Sequence, residues 1–362
     1  LTIVGPAHPL RGGIAHHVHA IQKLLTERGH SLQVISFKKL YPGFLFPGKT
    51  VLDVSEMKLD ASAAPILDPL NPVTWGQALF QIQKFRPEAV VLQWWNPYFA
   101  PVSGTLARIL RAMGARLIGD CHNVFPHERS IVDLPLVWYA LGAIDRFVVH
   151  SSSVRTELQE VKPDARVRTV PLSAVSQFRG RARTDRNCRK ILFFGLVREY
   201  KGLDVLLEAI PEVLNHLDCE LVIAGEFYHP LENYKALIRK LEIERAVRID
   251  NRYIPNEEVA KYFESADVLV MPYRSATQSG IARIAAINGL PIIGTRVGGL
   301  AEAVRDGVDG LLIPPEDPKA LARALVRYFE SGLGPIFAQK LLSSAEDDPR
   351  ASIVSAIEDL AS

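Results

Sequence analysis

Cysteine and methionine are scarce, with three of each in 362 residues. Cys121, Cys188 and Cys219 form no Cys-x-x-Cys pair and no even framework, a usage that suits a reducing cytosol. An excess of one charge is also missing. The 42 basic side chains face 40 acidic ones, and a net charge of +2 argues against a dedicated nucleic-acid binder. No apolar run approaches the ~18 residues a spanning helix needs, and no signal-peptide layout opens the chain. Leu1 already stands inside a strand-like run, so a short native start is expected before it. Apolar residues at 48% and charged ones at 23% exclude wholesale disorder. The length suggests two domains of comparable size. The bounded expectation is a soluble, cytoplasmic, two-domain protein.

What is present is alternation. Strand-like runs in the first half are Leu1–Gly5, Ser31–Phe37, Ala89–Trp94, Arg116–Gly119, Arg146–His150 and Val167–Val170. Between the first two, Ile14, Val18, Ile21 and Leu25 form one apolar helix face, and Gly29 is placed to end it. The second half repeats the pattern with Ile191–Phe194, Glu220–Ala224, Arg248–Asn251, Val268–Met271, Pro291–Gly294 and Gly310–Ile313. Strands alternating with helices predict α/β architecture with parallel, doubly wound sheets. Two series of similar length predict two Rossmann-like domains, 1–175 and 176–350, with a final helix at 351–360 packing back on the first.

Residues 179–190 hold six basic side chains and no apolar periodicity. They read as a solvated linker or, alternatively, as a contact to anionic membrane, worth about 1 kcal/mol per basic residue near the surface. The first 175 residues carry 18 basic and 13 acidic side chains, the remainder 24 and 27. That asymmetry favours the first domain as the membrane-leaning one.

No Gly-x-Gly-x-x-Gly follows the first strand; Gly12-Gly13 stands there instead. Paired glycines at a helix start let backbone N–H groups approach an anion, or simply make a tight turn. In the second half, Gly195-Leu-Val-Arg198-Glu-Tyr-Lys201-Gly202 leaves a strand and enters a helix. Ligands of open α/β sheets bind at carboxyl ends of strands, so Arg198 and Lys201 stand where a phosphate would. An ordinary solvated pair is the plainer reading. Gln278, Ser279 and Gly280 lie at the start of a short helix stopped by Gly289, a second anion seat. Two anion seats and two cations suit a diphosphate.

These segments, with Ala224 to Tyr228, Ile254 to Val259, Ala266 to Tyr273 and Gly294 to Pro315, resemble the family-4 group of retaining GT-B glycosyltransferases. In the first domain, Gly12-Gly13 and Cys121-His122-Asn123-Val-Phe-Pro126-His127-Glu128 look like the family's glycine loop and donor-sugar histidine segment. The resemblance implies GT-B architecture and transfer of a sugar from a nucleotide-diphosphate sugar to an acceptor held across a cleft. It implies a His122 contact to the donor sugar, against the plainer reading of a core histidine. His127 and Glu128 would orient acceptor or donor. Tyr253 and Ile254 would lie against the base, with Gly195 and Glu226 near the donor and Glu302 as a candidate for the ribose.

One departure matters. Many relatives carry a pair of glutamates around the helix after the Pro-Tyr strand, and those positions here are Ala276 and Ile284. Neither accepts a hydrogen bond from a hydroxyl, so Gln278 and Ser279 would take part of the donor contact. No Asp-x-Asp is present, and His16 with His19 lacks a third ligand, so no metal is expected. Gln93-Trp94-Trp95-Asn-Pro-Tyr98-Phe99 ends a first-domain strand with four aromatics that alternation cannot bury together. Trp95 and Tyr98 are therefore expected at an acceptor or lipid.

The reading is a retaining, metal-independent glycosyltransferase in which Arg198 and Lys201 stabilise charge on the leaving diphosphate. The acceptor would be a glycan or a lipid-linked molecule, and peripheral contact at the inner face of the membrane would accompany the latter. A non-catalytic nucleotide-sugar-binding subunit and a GT-B nucleotide-sugar 2-epimerase are the alternatives.

Overall fold

The structure, a computed structural model, describes residues 1–362 except 43–47, 49, 58–61, 127–128, 173–175, 182 and 345–348. His127 and Glu128 lie outside the described residues. The chain divides into two units: Leu1–Val54, Lys58–Ser173 and Asp348–Ser362 form one, Ser55–Met57 and Ala174–Asp347 the other.

The first unit runs β1 (Thr2–Val4), α1 (Gly13–Glu27), β2 (Gln33–Phe37), β3 (Ala63–Leu67), α2 (Pro72–Phe85), β4 (Ala89–Trp94), α3 (Ala100–Ala112), β5 (Arg116–Cys121), α4 (Asp133–Leu141), β6 (Arg146–Val149), α5 (Ser152–Val161) and β7 (Arg166–Thr169). Its sheet is parallel, in the order β3-β2-β1-β4-β5-β6-β7. Period-2 alternation divides β4 between two cores. Val90, Leu92 and Trp94 point to one face, and Ala89 and Val91 to the face covered by Val18, Ile21 and Leu25 of α1. Helix α1 stops where Gly29 turns at φ +86°. Strand β3 escapes the sequence pattern because Pro65 interrupts it. The strand tolerates Pro65 because it is an edge, where a missing N–H breaks only one side of the ladder.

The second unit runs β8 (Lys190–Phe194), α6 (Leu203–Leu214), β9 (Glu220–Ala224), α7 (Leu231–Lys240), β10 (Val247–Asp250), α8 (Asn256–Ser265), β11 (Val268–Met271), α9 (Gly280–Ile287), β12 (Ile292–Thr295), α10 (Gly298–Ala303), β13 (Gly310–Ile313), α11 (Pro318–Glu330) and α12 (Leu333–Ser344). Its parallel order, β10-β9-β8-β11-β12-β13, repeats that of the first unit. Ile191 and Phe193 face α6 and α11, whereas Leu192 and Phe194 face α8 and α9. The last helix, α13 (Pro349–Ala361), belongs to the first unit and buries Ile353, Val354, Ile357 and Leu360 beside α1. Each such side chain contributes about 1.5–3 kcal/mol of burial.

The basic stretch 179–190 is neither a free linker nor a uniformly exposed patch. Arg186 is 1% exposed, and its guanidinium donates to the carbonyls of Gly289 (2.8 Å), Asn288 (2.6 Å), Phe263 (3.2 Å) and Ala266. Arg183 reaches Asp185 and the Glu264 carbonyl. A buried guanidinium needs that many acceptors, and the carbonyls ending α8 and α9 supply them.

Candidate functional site

In the second unit the carboxyl end of β8 turns sharply at Gly195, whose φ is +99°. A Cβ there would lie 2.6 Å from Ile281 Cδ1 and 3.2 Å from Lys201 Nζ, so only glycine fits. Lys201, solvated on the plainer sequence reading, is 6% exposed. The correction follows from the turn itself: residues Glu199–Lys201 form a 3-10 segment that carries the side chain inward, towards Gly195 and the ring of Tyr273 at 5.6 Å. Among the described residues no carboxylate pairs with its ammonium. Burial, helped by the neighbouring charge of Arg198, brings its pKa down to about 7. Arg198 is exposed and stacks 4.8 Å from the Tyr228 ring.

Ile281 belongs to the first turn of α9, so Lys201, Gly195 and that helix start come together. Ser279 caps α9 by accepting from the Ala282 amide at 3.3 Å, next to half-buried Gln278 and exposed Gly280. Ala276 is buried and its carbonyl accepts from Gly299 at 3.1 Å, while Ile284 packs half-buried against the α8–α9 core. Both positions are apolar contacts. Glu226 is buried two residues past β9, and Tyr253 is half-buried. Ile254 is 6% exposed within the core, so only its backbone can meet a ligand. Glu302 is exposed on α10.

In the first unit, Gly12 (φ +118°) and Gly13 open α1 with no side-chain cap, and a Cβ at either would meet nothing within 4 Å. Trp95 and Tyr98 are not freely exposed rings. Trp95 lies 4.2 Å from Phe99 and donates to Tyr41 at 3.4 Å, and Tyr98 stacks 5.3 Å from Tyr41. Trp94 and Phe99 are buried while Trp95 and Tyr98 are half-buried, so the four are not buried together, and a 3-10 turn at Pro97–Phe99 folds the two half-buried rings against their aromatic neighbours. His16 is buried on α1, and burial brings its pKa to about 4.

His122 is 4% exposed and joins a polar group the sequence had not assembled. Asp120 takes contacts from His17 Nε2 at 2.9 Å, Gln93 Nε2 at 2.8 Å and His150 Nε2 at 2.8 Å. Gln93 Oε1 in turn lies 2.8 Å from His122 Nε2. Burial opposes ionisation of Asp120, yet the two histidines outweigh it and hold the carboxyl well below its ordinary value. Burial also holds His17 and His122 down. Ligand atoms of His17, Asp120, His122 and His150 lie within 4.8 Å of one another, a donor set a divalent metal could accept. The available signal was three polar residues at adjacent ends of otherwise apolar strands, Gln93, Asp120 and His150, where a buried parallel sheet has no use for them.

Two parallel units of this order are the architecture of the GT-B glycosyltransferases, and comparison agrees. The Anabaena protein HepE, solved with UDP and glucose, superposes with a TM-score of 0.77 at 14% identity, covering 99% of this chain and 98% of that one. The family "Glycosyltransferase Family 4" matches residues 11–173, and "Glycosyl transferases group 1" matches 188–331. The D-inositol 3-phosphate glycosyltransferase of Corynebacterium diphtheriae is 30% identical over 65% of this chain and 58% of its own length. That of Acidothermus cellulolyticus is 29% identical over 89% and 79%. The chain spans less than two thirds of the first such relatives. The fold is thus that of the GT-B glycosyltransferases, and each half of the chain is similar to a glycosyltransferase family model of its own.

Proposed function

We propose that this protein transfers a sugar from a nucleotide-diphosphate sugar to an acceptor hydroxyl, with retention of configuration and without a metal. The second unit takes the nucleotide diphosphate, and the first supplies the acceptor side and His122. The observation that carries the reading is Lys201: a buried ammonium with no carboxylate partner among the described residues, beside a second cation and a helix start. An isolated charge is costly in that setting unless an anion arrives. A diphosphate leaving group supplies it, and its developing charge is greatest in the transition state. A phosphate oxygen then takes the acceptor proton, so no side-chain base is required. Support comes from the family match and from HepE, whose structure holds UDP. The acceptor is a glycan or a lipid-linked molecule, the latter with peripheral contact at the inner membrane face.

Calorimetric titration with UDP, ADP and GDP tests this. At pH 8 the preferred nucleotide should bind with uptake of about one proton, because the diphosphate restores the charge that Lys201 lacks when its pKa is about 7. Transfer should persist in saturating chelator. Absence of binding by any nucleoside diphosphate, or transfer that needs an added divalent ion, counts against the reading.

A further inference from the structure

The turn that carries Lys201 inward is too short to hold itself. Residues Glu199–Lys201 form a single 3-10 turn, closed by the Lys201 N–H to the Arg198 carbonyl at 3.1 Å and the Gly202 N–H to the Glu199 carbonyl at 3.0 Å. Turns of this kind have poor hydrogen-bond geometry and little stability of their own. Burying an ammonium without a carboxylate is costly, so the turn in isolation favours swinging Lys201 out to water. An anchor outside the turn has to oppose that.

Arg274, three residues beyond β11, is that anchor. Its backbone N–H donates to the Tyr200 carbonyl at 2.7 Å, and its Nη1 donates to the Glu199 carbonyl at 2.7 Å. The same guanidinium grips Asp204, in the first turn of α6, through Nη1 at 3.0 Å and Nη2 at 2.6 Å. Nε reaches Glu316 at 3.2 Å. One planar fork therefore ties the turn before Lys201 to the helix after it, a span that the point charge of a lysine does not reproduce. On the other flank, Gly202 (φ +65°) presses against the same exit from β11, where a Cβ would lie 2.1 Å from the Pro272 carbonyl oxygen. Lys201 is thus held on both sides. The charge acting on its ammonium is that of Arg198, while Asp204 and Glu316 are engaged by Arg274.

We propose that Arg274 is a positioning residue: by fastening the Glu199–Lys201 turn to α6 and to the end of β11, it keeps the Lys201 ammonium turned inward to meet the leaving diphosphate. The proposal deepens the glycosyltransferase reading and rests on it. Arg274 acts through Lys201, since its own guanidinium is occupied by Glu199, Asp204 and Glu316. Because the charge on the diphosphate is greatest in the transition state, loss of the anchor acts on kcat more than on donor KM.

The full chain, labelled with 13C in its lysine side chains, gives a readout independent of activity, since the Cε shift follows ionisation and the signal lost in Lys201→Met assigns it. Wild-type Lys201 should titrate at about pH 7. In Arg274→Ala and in Arg274→Lys the midpoint should move towards the ordinary 10.5. Both variants should lose kcat about 10–100-fold, the size expected when a reacting contact is misplaced by about 1 Å, with a smaller change in donor KM. Lysine keeps the charge without the fork, so full rescue by Arg274→Lys would assign the effect to charge alone and overturn the proposal. A wild-type midpoint at the ordinary value overturns it, and so does an unchanged midpoint in either folded variant. Unchanged kcat despite a shifted midpoint does the same. If Arg274→Ala does not fold, Arg274→Lys, which keeps the aliphatic stem, carries the same readings. A wild type that titrates as stated but binds no nucleoside diphosphate instead defeats the glycosyltransferase reading, and the positioning role with it.

Discussion

In the first unit the polar groups at the carboxyl ends of β4, β5 and β6 answer one another, whereas in the second the cations beyond β8 do not. Asp120 is surrounded by three N–H donors, but Lys201 has no carboxylate among the described residues. Strand order is the same in both units through six positions, so topology did not make this difference. A self-satisfied cluster preserves geometry and has little to gain from a charged ligand. An unneutralised cation stores a desolvation penalty that an anion relieves. Within the second unit Arg186 sharpens the contrast: it is buried like Lys201, yet four backbone carbonyls hold it.

The largest effect is expected where a buried cation is satisfied. Arg186→Ala leaves those carbonyls without a donor and opens a cavity, so it should cost about 3–5 kcal/mol in urea melts. Nucleotide binding by the fraction still folded should persist. A loss below about 1 kcal/mol would mean that water replaces the guanidinium and the comparison is empty.

Lys201→Ala should do the opposite. We expect kcat/KM to fall about two to three powers of ten, the size of one lost transition-state charge contact. Stability at pH 7 should change little, because a desolvated charge leaves with the side chain. Wild-type transfer rates in this variant would remove Lys201 from the reaction.

The pH dependence follows in sign from the same residue. Its folded pKa of about 7 lies below the ordinary 10.5, so the unfolded chain holds a proton that the folded one has released between those values. Unfolding free energy should therefore rise with pH across that window, with the penalty fully present below about 7 and gone above about 10.5. Subtracting melts of Lys201→Met from wild type at pH 7, 8.5 and 10 isolates this slope. A flat difference would show that the ammonium is solvated.

Ile284 gives the smallest effects. Ile284→Val should cost at most about 0.5–1.5 kcal/mol. Ile284→Glu places a carboxylate against the α8–α9 core, where an unpartnered polar group costs about 1–3 kcal/mol, and it should not speed transfer. Tighter donor binding with faster transfer in the Glu variant would show that an acidic ribose site persists under an apolar substitution.

Much of the fold was legible because its signals are local. The Ile14, Val18, Ile21, Leu25 stripe and the Gly29 stop define α1 without reference to anything distant. Runs such as Val268–Met271 read as strands because both faces of a parallel sheet are buried. Strand β3 was hidden by Pro65, since a proline argues against a central strand and the sequence does not say which strand is an edge. At Trp95 and Tyr98 the alternation gives the incomplete burial but not the ring contacts, because a 3-10 turn follows the end of β4.

The sequence by itself determined the two alternating series, the glycine turns and the order of motifs that places cations after β8, since each depends on neighbours a few residues apart. Only the tertiary structure decided that Lys201 turns inward, that Arg186 is swallowed by carbonyls, and that His17 meets Asp120 across 103 residues of chain. Those outcomes depend on desolvation and on which lone pair faces which proton. Both quantities exist only once distant strand ends have been brought within about 3 Å of one another.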